Sequence, residues 1–79
     1  MRVLFFAQLK DVTGCSECSL APNGTLTADD LWAELTAKFP GLQVHRPVVR
    51  LTRNWEYAGP ETRFIDADEV ALVTPVSGG

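Results

Sequence analysis

One stretch of this chain repeats apolar residues at helical spacing over about three turns, and strand formers flank it on both sides. Ala28, Leu31, Trp32, Leu35 and Phe39 recur at intervals of three and four residues, which lines them up along one side of a helix. Thr27 with Asp30 three residues on resembles a capping box with Asp in place of Glu. Asp29 and Asp30 suit the positive end of a helix dipole, and Pro40-Gly41 ends the run. With no second helix of that length to cover it, the stripe must lie on a sheet.

The flanks supply the strands. Arg2 to Leu9 is dense in strand formers and ends at Lys10-Asp11-Val12-Thr13-Gly14, where Gly14 can take a positive φ. A second strand is expected over about Cys15–Leu20, making a hairpin that ends where Ala21-Pro22-Asn23-Gly24 collects turn residues. Val48–Thr52 reads as a third strand with Pro47 at its entry, Asn54 as the turn, and Trp55-Glu56-Tyr57 as a short return strand. Asp66-Ala67-Asp68 reads as a tight turn. Val70–Thr74 is apolar on both alternating faces, the mark of a central strand. The order β, β, α, β, β with the last strand in the middle is the β-grasp plan, an α+β fold in which a mixed sheet wraps one main helix.

Seventy-nine residues allow one domain. We read residues 1–74 as the folded body and residues 75–79 as a flexible tail. Seven Lys and Arg against ten Asp and Glu give a net charge of −3, which offers no field for nucleic acid. The balance shifts along the chain. Met1 to Arg53 holds six basic and five acidic residues (+1), and Asn54 to Gly79 one and five (−4). The apolar run near the start, Val3 to Ala7, is five residues, against the ~20 a membrane span needs. Two cysteines without a secretory signal fit a reducing cytoplasm.

The most informative segment is Pro75-Val76-Ser77-Gly78-Gly79, which follows at once from the expected central strand and carries no charged side chain. Two residues without Cβ can thread a narrow channel and leave the last carbonyl open to attack. A carboxylate is a poor acyl donor, so chemistry at Gly79 needs prior activation to a mixed anhydride, with ATP and a second enzyme supplying it. The chain itself sets no nucleophile beside a base, and His45 is its one imidazole. It reads as a carrier rather than a stand-alone catalyst.

Phe5-Phe6-Ala7-Gln8-Leu9 with Gly14 downstream, then Asp66-Ala67-Asp68-Glu69-Val70-Ala71, and finally Pro75-Val76-Ser77-Gly78-Gly79, resemble the small, sulfur-carrying subunits of molybdopterin synthase, a ubiquitin-like family. The resemblance covers nearly the whole chain. It implies that an ATP-dependent adenylyltransferase of the ubiquitin-activating type adenylates Gly79, which is then converted to a thiocarboxylate. It also implies a large-subunit partner, in a heterotetramer of two small and two large subunits. That partner takes up the tail, Pro75 to Gly78 leading Gly79, for sulfur transfer to cyclic pyranopterin monophosphate and formation of the molybdopterin dithiolene. No bound cofactor is implied, ATP being used by the activating enzyme. A thiamine-type sulfur carrier and a ubiquitin-like modifier of protein lysines would use the same Gly79, and an interaction domain with an inert end is the alternative of another class. Two positions depart from the family pattern. Ala67 stands where Gly is usual, a cost of about 1–2 kcal/mol if that turn needs a positive φ, and Thr74 precedes a single Pro75 where relatives commonly have two prolines.

Strand alternation places Val3, Phe5, Ala7 and Leu9 on the core face and Phe6 on the other, where Val73 of the last strand also points. Phe6 and Val73 are therefore the expected partner-binding patch. Fixing roughly four tail residues costs ~4–8 kcal/mol of backbone entropy. Burying Phe6, Val73 and Val76 at ~1.5–3 kcal/mol each is of the size needed to offset it. Cys15 and Cys18 have the spacing of a zinc knuckle or a redox pair but no second pair, and alternation sends residues three apart to opposite faces. With Asp66, Asp68 and Glu69 read as turn and solvated face, no metal site is expected. Arg46, Arg50 and Arg53 are left unassigned. Trp55 and Tyr57 fit either a second contact site or packing at a sheet edge.

Overall fold

The computed structural model describes residues 1–74. A five-stranded sheet has the order β2-β1-β5-β3-β4. Its strands are β1 (Arg2–Phe5), β2 (Glu17–Ser19), β3 (Arg50–Arg53), β4 (Glu56–Tyr57) and β5 (Glu69–Val73). β1 and β5 run parallel and the other neighbours antiparallel. The doubly apolar last strand is central, as its composition requires.

Register explains the core. Val3 pairs with Val70 and Phe5 with Leu72, and Leu51 pairs with Leu72 from the other side, so these side chains share one face. All are buried, together with Leu31, Trp32 and Leu35 of α2 (Ala28–Lys38). The sequence stripe is that helix's buried face. Its cap forms as the sequence predicts: Asp30 N–H donates to Thr27 Oγ1, and Thr27 N–H donates to Asp30 Oδ2, both at 3.1 Å. Phe39 closes the helix before Pro40 and meets Phe5 edge-on, ring centroids 5.4 Å apart.

Several expectations change. β1 stops at Phe5 rather than running to Leu9, and Gln8–Thr13 form a short helix, α1. Leu9 and Val12 lie three apart and both pack on the core, a helical spacing concealed within strand-forming residues. Gly14 does take a positive φ (78°), but as the cap of α1, its N–H donating to Lys10 O at 2.8 Å. The opening β1–β2 pair is thus antiparallel but not a simple hairpin. β2 is shorter than Cys15–Leu20, although Leu20 N–H still donates to Met1 O at 2.9 Å. Residues Pro40–Val48 form 3₁₀ turns, so the third strand begins at Arg50 rather than Val48.

Asn54 turns the chain as expected, and the return strand is Glu56–Tyr57. The Asp66–Asp68 turn closes with Asp68 N–H donating to Ile65 O at 3.0 Å and Ile65 N–H donating to Asp68 Oδ2 at 2.9 Å. Ala67 is not among the residues with positive φ, so the turn carries no left-handed penalty for replacing glycine. β5 covers Glu69–Val73, one residue earlier than the sequence suggests.

Candidate functional site: the outer sheet face and the exit of the last strand

The face of the sheet turned away from α2 is set by the same alternation. Arg2 pairs with Glu69 and Leu4 with Ala71 in the parallel register, and Arg50 pairs with Val73 and Thr52 with Ala71 in the antiparallel one. These residues share the outer face, and β5 runs across it toward Val73 and Thr74. Pro75, Val76, Ser77, Gly78 and Gly79, the tail residues picked out from the sequence, lie outside the described residues. The body therefore delivers the chain at the β5 end, between Arg50 on one neighbour and the end of β1 on the other.

Phe6 is at that end of β1, 43% exposed, and Val73 is half-buried. The expected outward position of Phe6 is found, but by another route. β1 has ended, Leu9 N–H donates to Phe6 O at 3.0 Å, and Ala7 takes φ 50°, ψ −130°, the first central position of a type II′ turn. The Phe6 ring lies 6.3 Å from that of Trp55, tilted by 51°. Trp55 and Tyr57 are more than half exposed, so packing at the sheet edge does not cover them. Ala71, on this same outward face, is only 1% exposed.

A polar chain runs along the opposite end of the face. The Trp55 indole N–H donates to Glu69 Oε1 at 2.7 Å, and Arg2 Nη1 donates to Glu69 Oε2 at 2.8 Å. Arg2 also grips Glu17 through Nε and Nη2 at 3.1 and 3.0 Å. The fork holds the Glu17 carboxyl below, and the guanidinium above, their ordinary values, the hydrogen bonds between them being the main cause. Sequence reading missed this network, since Arg2 and Glu69 stand 67 positions apart.

The remaining candidates separate cleanly. Cys15 and Cys18 are free thiols, and both pack against the core margin. The opposite-face expectation does not hold for Cys15, because it precedes β2 and strand alternation does not reach it. Burial pushes the Cys18 thiol up, away from the reactive thiolate. Among the described residues no group of three His, Cys, Asp or Glu is placed to hold a metal ion, and no helix is long and apolar enough to cross a membrane. Arg46 straps the 3₁₀ segment to α2, pairing with Asp29 and lying 5.5 Å over the Trp32 ring. Arg53 donates to Arg63 O at 3.1 Å, while Arg50 stands exposed beside Val73.

A mixed sheet wrapped on one main helix, with its central strand leading straight into a Gly-Gly segment, defines a ubiquitin-like β-grasp protein. Solved structures agree: small archaeal modifier protein 1 of Haloferax volcanii superposes with a TM-score of 0.86 at 29% identity, covering 100% of this chain and 98% of that one. The chain belongs to the ThiS family, which it matches over residues 3–79. Among curated proteins it is similar to the molybdopterin synthase sulfur carrier subunit of Arabidopsis thaliana, 38% identical over all of this chain and 82% of that protein. The protein of the same name from Chlamydomonas reinhardtii is 32% identical, over all of this chain and 98% of that protein.

Proposed function

We propose that this chain is the sulfur carrier subunit of a molybdopterin synthase in the cytoplasm. The observation that carries the reading is similarity over the whole chain, at 38% and 32% identity, to proteins bearing that name, with the family match reaching Gly79. The chemistry follows from the carboxyl group. Attack of the Gly79 carboxylate on the α-phosphate of ATP, on a ubiquitin-activating-type adenylyltransferase, gives an acyl adenylate and pyrophosphate. A sulfide equivalent then displaces AMP to leave a thiocarboxylate. ATP is thus consumed by the activating enzyme, and this chain needs no bound cofactor. The sulfur passes to cyclic pyranopterin monophosphate in the large subunit, two donations building the dithiolene, and the assembly pairs two small with two large subunits. Phe6 and Val73 dock the body, while Pro75, Val76, Ser77 and Gly78 carry Gly79 into the partner.

Intact mass after incubation with the activating enzyme, ATP and a sulfur source tests the first half: exchange of oxygen for sulfur adds ~16 Da. Molybdopterin formation after addition of the large subunit and the pyranopterin tests the second. The likeness to an archaeal modifier protein at 29% identity favours one further reading, attachment of Gly79 to lysines of other proteins. Covalent adducts on added protein, with no molybdopterin formed, would select it. Transfer of sulfur only to a thiazole precursor would select the thiamine branch.

A further inference from the structure

The loop joining β3 to β4 has two residues, Asn54 and Trp55, between the paired Arg53 and Glu56. Both have positive φ, 51° and 71°, as a type I′ turn demands, and the ordinary occupants are Asn then Gly. Asparagine suits the first position. A tryptophan at the second is an anomaly, since bulky side chains are outliers in this region. Burial does not repay it, because Trp55 is 59% exposed.

The indole is nevertheless held. Its N–H donates to Glu69 Oε1, and Glu69 is fixed in turn by Arg2, which Glu17 holds from the other side. The loop backbone is clamped as well. Asn54 N–H donates to Glu69 O at 2.7 Å, Glu69 N–H donates to Asn54 Oδ1 at 3.0 Å, and Asn54 Nδ2 donates to Asp68 Oδ1 at 3.1 Å. Held this way, the ring lies across the outer face from Glu69 toward Phe6.

We propose that Trp55 is a second anchor beside Phe6 for the large subunit that receives the tail, with Glu69 the positioning residue that presents it. The inference rests on the sulfur-carrier reading above. Gly79 is five residues past Thr74, a reach of at most ~18 Å, whereas a small domain is ~30 Å across. A globular partner enclosing Gly79 must therefore lie against the β5 end of the body, and Phe6 and Trp55 continue the exposed surface from there. Both the activating enzyme and the large subunit take the tail. The relatives are named as subunits of the synthase, to which the second belongs, and a rigid, preset aromatic lowers the ordering cost of binding and slows dissociation. That property suits the lasting subunit partner.

The test uses the full chain with the purified large subunit. Trp55→Gly suits the positive φ, so its melting temperature should equal or exceed that of the parent while affinity for the large subunit falls by roughly tenfold or more. Glu69→Ala should weaken binding through faster dissociation, and Glu69→Gln, which keeps an acceptor for the indole N–H, should restore most of it. Parent-like affinity of Trp55→Gly overturns the proposal, as does a loss confined to adenylation. Mass analysis of the same preparations separates the failures: a parent chain that never gains sulfur removes the carrier reading itself, while a thiocarboxylated parent with an indifferent Trp55→Gly removes only the anchor.

Discussion

Ala7 holds a backbone conformation, φ 50° and ψ −130°, that glycine adopts freely and alanine does not, at a cost of about 1–3 kcal/mol. Ala7→Gly relieves that strain but gives back about 0.5–1 kcal/mol in unfolded-chain entropy. The variant should therefore be more stable by up to about 2.5 kcal/mol, read as a higher denaturation midpoint at unchanged slope; a lower midpoint would show that the turn bears no strain. The neighbouring Phe6 is a different case, since its 43% exposure leaves it little to lose in the free domain. Phe6→Arg should keep the melting temperature within a few degrees and weaken binding to the large subunit. Equal affinity would remove Phe6 from the docking surface. Alternation made Phe6 legible as an outward residue, yet the strand it was read from ends at Phe5. What the sequence could not display was Ala7, because nothing in its composition announces a left-handed turn.

At the scale of elements, legibility followed the strength of local signals. The helix α2 has a cap, an apolar stripe and a proline stop, and all three appear where they were read. The short α1 has two inward residues, Leu9 and Val12, in a run whose composition favours strand. Tertiary burial decides such a segment, and periodicity over six residues is too brief to reveal it. The α2 cap also makes a pH prediction. The Asp30 carboxyl lies below the ordinary aspartate range because the Thr27 backbone N–H, and secondarily its hydroxyl, bonds the charged form. A depressed folded-state value adds stability above the unfolded aspartate pKa, ~3.9. That stability is lost as pH falls through the folded value. Wild type should therefore exceed Asp30→Asn in melting temperature near neutral pH, and the gap should close in acid. A gap that persists at the acid end would mean that the side-chain amide disturbs something other than the charged cap.

On the sulfur-carrier chemistry proposed above, the whole molecule is a short lever for one carboxyl group, and its geometry makes chain length as consequential as side-chain chemistry. Element order and the central place of β5 were readable, since a doubly apolar strand has few other places to go. The outer face was only half readable. Phe6 and Val73 declare themselves by alternation, but the Arg2–Glu69–Trp55 chain joins residues 67 and 14 positions apart, and only the folded register brings them together. In the docking proposed above, that face fixes where the body sits, so the span from Thr74 to Gly79 fixes where sulfur can be delivered. Removing Val76 and Ser77 shortens the reach by about 7 Å while leaving Gly78-Gly79 and the described body intact. The shortened chain should bind the large subunit through Phe6, and through Trp55 if that anchor holds, with affinity reduced only by what Val76 contributes. Single-turnover sulfur transfer from a chemically thiocarboxylated sample should fall by orders of magnitude, because a misplaced reacting atom forfeits the benefit of proximity. Restoring the length with two alanines should recover transfer, as distance rather than side-chain identity is the variable. Undiminished transfer from the shortened chain would mean that the partner moves to meet the tail, and the body would then be a handle rather than a ruler.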